Sequence, residues 1–145
     1  VKGAIALAGI WVAGCSAAEQ PLALTQFLSQ CDAFKGKTVQ VAGYLGECAG
    51  YACHLLTGKP GTDRFVAVES GGVLRSEIGI GGGNDMFDRK AASLQNSYVV
   101  VTGRIDDHSC DGKGGTDRSA GLYPTDIRAS TMAEAAPAKL VVRHN

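Results

Sequence analysis

Two stretches of this chain repeat one pattern, and that pattern constrains the fold more than any other feature. Val39-Gln-Val-Ala-Gly-Tyr-Leu45 and Val99-Val-Val-Thr-Gly-Arg-Ile105 both read V-x-V-x-G-x-aliphatic. Apolar residues at alternate positions make a strand with two distinct faces. A Gly inside such a strand marks a bulge or a sharp bend. Two strands with a Gly at the same place fit a small barrel, in which strands must bend for the sheet to close.

The remaining residues supply partners for these strands. A helix is expected from Leu22 or Thr25 to Phe34, because Phe27, Leu28, Cys31 and Phe34 share a face at helical spacing. Gly36 follows as its stop. The first strand covers residues 38–46, and a turn over 47–51 leads to a second strand over 52–57. Lys59-Pro60-Gly61-Thr62-Asp63 is a strong turn signal. A third strand is expected over 64–69, where Phe65, Ala67 and Glu69 alternate with Val66 and Val68. Residues 70–85 are Gly-rich and show no readable period. A helix over 86–95 places Phe87, Ala91 and Leu94 on one side. The fourth strand covers 97–106, a polar loop 107–121, and the last strand 122–129. Residues 130–145 form a C-terminal tail that either frays or adds an edge strand.

This order, β-β-β-α-β-β with a bent first strand, resembles the OB-fold. Residues 34–129, about two-thirds of the chain, resemble more narrowly the OB-like lipoproteins of bacterial envelopes. In those a first strand of the form gkxVxVxGyL and a later VxVxGxi strand recur. The resemblance implies a mainly β domain: a small five-stranded OB-like barrel with an N-terminal helix and a helix between strands three and four. OB domains that bind nucleic acid carry aromatic platforms on strands two and three with basic residues around them. Here those strands offer His54 and Phe65, with only Lys59 and Arg64 nearby.

The first residues point to a compartment. Lys2 precedes an uncharged apolar run, Ala4-Ile-Ala-Leu-Ala-Gly-Ile-Trp-Val-Ala13. Ten helical residues span about 15 Å, half a bilayer core, so the run is too short for a transmembrane helix and fits the apolar core of a signal peptide. It ends in Val12-Ala13-Gly14-Cys15, which resembles the lipobox of bacterial lipoproteins: an aliphatic residue, two small ones, then Cys. That resemblance implies a signal peptide over 1–14, a lipid-modified Cys15 as the first mature residue, and a polar tether over 15–21 leading to a domain over 22–129. Ser16 replaces the Asp that often retains such proteins in the inner membrane, which favours the outer membrane slightly. Loss of Lys2 leaves 13 basic and 14 acidic residues. Without a basic excess, nucleic acid is a poor partner.

In an oxidising compartment Cys31, Cys48, Cys53 and Cys110 suggest two disulfides, with three possible pairings. Cys48 and Cys53 flank the first turn, which suits a bridge at a hairpin end. The remaining pair, Cys31–Cys110, follows from the OB resemblance. First and fourth strands then lie antiparallel, so the end of the fourth sits near the start of the first. The chain-entropy model gives about 2 kcal/mol for the short loop and about 4.5 kcal/mol for the long one. Cys48, Cys53, His54, His108 and Cys110 are also of zinc-binding types, but C-x4-C-H…H-x-C is no familiar structural site. No metal or other cofactor is expected.

The Gly79-Ile-Gly-Gly-Gly-Asn84 run lacks both the P-loop ending and the dinucleotide spacing. The acidic loop from Asp106 to Asp117 lacks a calcium register. No catalytic constellation assembles. Tyr44 alternates against the Val/Leu face of strand one, which turns it outward. With Tyr51 and His54 it makes a candidate binding surface, although ordinary barrel packing is the simpler explanation. The reading is a membrane-anchored envelope lipoprotein facing the periplasm. It acts as a non-catalytic binding or interaction module toward an envelope protein, glycan or peptide. The competing class is a zinc-dependent envelope hydrolase using His54 and His108.

Overall fold

A computed structural model describes residues 19–50, 52–70, 72–82, 84–105 and 121–137. In chain order the elements are β1 (Leu22–Ala23), α1 (Leu24–Ser29), a 3-10 turn (Cys31–Phe34), β2 (Thr38–Ala49), β3 (Ala52–Leu56), β4 (Val68–Ser70), β5 (Val73–Arg75), β6 (Glu77–Gly79), α2 (Asp85–Ala92), β7 (Ser97–Ile105), β8 (Leu122–Ala129) and α3 (Met132–Ala135).

The two echoing segments are the centre of the sheet. β2 and β7 pair antiparallel from Thr38↔Arg104 to Leu45↔Ser97. The main order is β6-β3-β2-β7-β8, with β1 parallel to β2. β2 is long because its other edge serves two partners in turn. Val41 and Ala42 take β1, and the stretch from Tyr44 to Ala49 takes β3. Gly43 stands where that edge changes hands. A Cβ there would lie 2.7 Å from the Leu56 carbonyl and 2.8 Å from Leu55 Cγ, so this Gly serves a close backbone approach. Its counterpart Gly103 sits at a register shift between β7 and β8, the expected bulge. The two ends of the sheet meet at a parallel bridge, Ile80↔Leu122, backed by the Gly81 N–H donating to the Leu122 carbonyl at 2.7 Å.

The core follows the alternation. Val41 and Leu45 of β2, Leu55 of β3, and Val99 and Val101 of β7 are fully buried, together with Ile127 of β8. Leu24, Phe27, Leu28 and Cys31 close one end at i, i+3, i+4 and i+7. The expected continuous helix to Phe34 is broken at Gln30, beyond which the chain tightens to a 3-10 turn. With three residues per turn, Phe34 falls in line with Cys31 and stacks on Phe27, ring centres 5.7 Å apart.

The third strand lies elsewhere than expected. Residues 65–67 are not strand, and Phe65 and Val66 are exposed. The cause is the loop before them. The Thr57 hydroxyl donates to the Val66 carbonyl at 2.8 Å, and a Cβ on Gly58 would lie 2.7 Å from the Arg64 carbonyl. The chain therefore doubles back on Thr57 and does not run beside β3. β4 pairs only with β5, as a separate two-stranded ladder. The sheet's third strand is β6, from the Gly-rich stretch, and it inserts Ile78 and then Ile80 into the core. The sheet thus has six strands, counting the two-residue β1, in place of the expected five.

α2 is capped by Asn84, whose Oδ1 accepts from the Phe87 N–H at 2.9 Å. Asp85 and Asp88 in its first turn and Arg89 and Lys90 in its last match the helix dipole. It ends at Ala92, earlier than expected, and the turn into β7 passes through Asn96 with φ of 59°. The start of the C-terminal tail is neither frayed nor an edge strand. Thr131-x-x-Glu134 is a capping box, and it begins α3, whose Ala135 is buried against Ala42 and Val100.

Cys48 and Cys53 are disulfide-bonded, and the two are register partners at the end of the β2–β3 hairpin. The Cys48 N–H also donates to Gln95 Oε1 at 3.0 Å. A Cys48→Ala, Cys53→Ala variant is expected to lose about 2 kcal/mol in urea unfolding. An unchanged midpoint would show that packing alone holds the hairpin. Cys31 is disulfide-bonded as well, but the expected pairing with Cys110 lies outside the described residues. So do Cys15, Tyr51 and His108.

Candidate functional site

Of the three residues of the expected binding surface, Tyr44 and His54 are described, and Tyr51 lies outside the described residues. Tyr44 does project from the outer face of β2, as its alternation requires, yet only 7% of it is exposed. Its ring meets Tyr98, the register partner on β7, edge to face at 5.3 Å and 77°. An outward residue is covered here because α3, which periodicity did not announce, packs over this face of β2 and β7. His54 is half-buried on β3. Its Nδ1 is shielded from solvent without a hydrogen-bond partner, with the Glu77 carboxylate 3.9 Å away, beyond hydrogen-bonding distance.

The covering segment creates a different feature. Between α1, the loop after β3, the Tyr98 end of β7 and the α3 segment lies a groove of about 370 Å³. Val66, Tyr98, Met132, Ala135 and Pro137 form its walls, Thr25 and Thr57 line it from beneath, and Asp63 and Arg64 stand beside each other on it. Val66 and Met132 are 43% and 46% exposed, so the walls are open to a visitor. The Thr25 side chain is buried and its hydroxyl has no hydrogen-bond partner. An apolar slot with a few polar groups is the usual character of a binding pocket.

Each wall has a local cause. Tyr98 stands where β7 begins, and Ser130 N–H donates to its carbonyl at 2.8 Å, which sets the path of the following chain. Val66 and Arg64 are placed by the loop closed on Thr57. Met132 and Ala135 are placed by α3, which is clamped at its base. Arg128 Nη2 donates to Glu134 Oε1 at 3.0 Å, and the Ser130 hydroxyl donates to the same carboxylate. These bonds, the Arg128 contact foremost, pull the Glu134 carboxyl down from 4.5 to about 2. A depressed carboxylate stabilises the fold fully above its unfolded value and loses that contribution as pH falls toward the folded one. Glu134→Gln is therefore expected to lower the urea midpoint at pH 7 and to converge with wild type near pH 2. A gap that persists at pH 2 would remove the clamp as its cause.

Among the described residues no group of three or more His, Cys, Asp or Glu side chains is placed to hold a metal. Cys48 and Cys53 are bonded to each other, which takes both out of the zinc-ligand set considered from sequence. Sequence reasoning missed the groove because its pieces come from four separate segments. Two signals for it were nevertheless present: the Thr131-Met-Ala-Glu134 capping box and the Lys59-to-Asp63 turn. Comparison with protein-family models, with curated proteins and with solved structures finds no match to this chain.

Proposed function

We propose that the mature chain is a lipid-anchored envelope protein whose β domain is an OB-type barrel, binding its partner without catalysis at the groove beside Tyr98. The strand order β6-β3-β2-β7-β8 supports the OB assignment, as do the helix between β6 and β7 and the parallel bridge from Ile80 to Leu122. The disulfide between Cys48 and Cys53 agrees with an oxidising compartment. None of the described helices is long and apolar enough to cross a membrane; attachment in this reading is through Cys15. The groove carries the functional part. Exposed apolar walls with one acid and one base beside them suit an apolar side chain on an envelope protein or peptide better than a polyanion.

The test is comparative capture. Immobilised mature domain is exposed to envelope extract beside Met132→Arg and Val66→Glu variants. Both substitutions lie on exposed walls and are expected to leave folding intact. A species retained by wild type and by Gly82→Ala, and lost by both groove variants, is the expected result. Identical retention by all four would place the binding surface elsewhere.

A further inference from the structure

We infer that the domain rests on the bilayer through the face where β1, the 3-10 turn and the start of β2 converge, and that the Cys48–Cys53 hairpin tip points away from it. The inference rests on acylation of Cys15. Its first premise is covalent geometry. Cys15 precedes Glu19 by four residues, and four extended residues reach at most about 14 Å. Acyl chains fix Cys15 at the level of the lipid headgroups. Glu19 therefore stays within that reach of the surface.

The second premise is what surrounds Glu19. It lines an open groove of about 740 Å³ with Gln20, Leu22, Phe34, Lys37 and Val39. Leu22 and Phe34 are half-buried apolar side chains packed against the core, and Lys37 is exposed. Apolar side chains beside a lysine whose ammonium can reach phosphate suit the interface of a membrane, where such residues settle with their stems in the apolar layer. Lys37 and Glu19 are the charged residues of this groove, so the tether holds the face in place and net charge contributes little.

The third premise sets the far end. β1 and β2 are parallel, with Leu22 opposite Val41. Stepping back from Leu22 toward Glu19 thus runs beside the start of β2. From Thr38 the strand leads away, and at about 3.3 Å per residue Cys48 lies about 30 Å along it. The disulfide-closed tip is then the part of the β2–β3 hairpin most remote from the anchor.

Tryptophan fluorescence tests this. Trp11 is the only tryptophan in this sequence and lies in the proposed signal peptide, so residues 15–145 carry none. Full-length chain processed in cells is reconstituted into phosphatidylethanolamine–phosphatidylglycerol vesicles carrying bromine near the top of the acyl chains. Three single-tryptophan variants are compared: Lys37→Trp on the proposed contact face, Glu47→Trp near the hairpin tip, and Leu74→Trp on the exposed apolar hairpin. All three positions are exposed. Emission of Lys37→Trp is expected to fall about two-fold relative to unbrominated vesicles, because bromine quenches only groups at the membrane interface. Glu47→Trp is expected to be unaffected. Gln40→Trp, on the same groove as Lys37, takes its place if that variant fails to fold. Equal quenching at Lys37 and Glu47, or stronger quenching at Leu74, would overturn the orientation. Protein that does not float with the vesicles would overturn acylation itself, and flotation is scored before any fluorescence is read.

Discussion

Gly103→Val is expected to cost about 3 kcal/mol or more, a large share of the 5–15 kcal/mol that holds a domain of this size. A Cβ at this position would overlap the Tyr123 carbonyl of β8 and lie 3.1 Å from Leu122 Cγ. The obstacle is backbone, which cannot rotate aside as a side chain would. Relief requires β7 and β8 to separate at the bulge that sets their register. The separation would also move Leu122, through which the two ends of the sheet touch. Gly82→Ala is the control. Its added methyl meets nothing within 4 Å, and its effect is expected within about 0.5 kcal/mol. Urea unfolding of the two variants beside wild type decides the matter. Similar midpoints for both would mean that β7 and β8 do not approach as closely as described.

Phe27→Ala is expected to have a comparable effect, about 4 kcal/mol. Phe27 is fully buried, and its ring stacks on Phe34 at an interplanar angle of 28°. Removing it opens a cavity between α1 and the sheet and strips Phe34 of its partner. Neither α1 nor the 3-10 turn has a side-chain cap, so their docking rests on buried side chains, of which Phe27 is the largest beside Leu24, Leu28 and Cys31. The comparison is Phe65→Ala, at a site 37% exposed, where a loss under about 1 kcal/mol is expected. Equal losses at the two sites would contradict the placement of α1 against the core.

The strands with a clear period were legible. Val39, Val41 and Leu45, and Val99, Val101 and Ile105, recur at even spacing, and both segments became central strands. The last strand over 122–129 matched to the residue. The third strand was misplaced for a physical reason. Val66 and Val68 alternate well but lie beyond a loop that closes on Thr57, and a tertiary hydrogen bond leaves no period in the sequence. β6 has only three residues, too few for alternation to register, and the glycines around it read as loop. The cover over Tyr44 is tertiary in the same sense. Alternation placed Tyr44 on the outer face correctly. It carried no information that α3 would cover that face and leave an open groove beside Tyr98 instead.

In the proposed reading, that groove takes its setting from Cys15. Anchoring at Cys15 would hold a partner-binding domain at the membrane surface, where a tether of a few residues keeps it within reach of other envelope components. The most direct measurement is mass spectrometry of the mature N-terminus from envelope fractions, with metabolic labelling by a radioactive fatty acid. The account predicts label on wild type, a chain beginning at Cys15 with a diacylglycerol mass on it, and neither in Cys15→Ser. A mature chain that begins elsewhere, or fatty-acid label that survives Cys15→Ser, would contradict it.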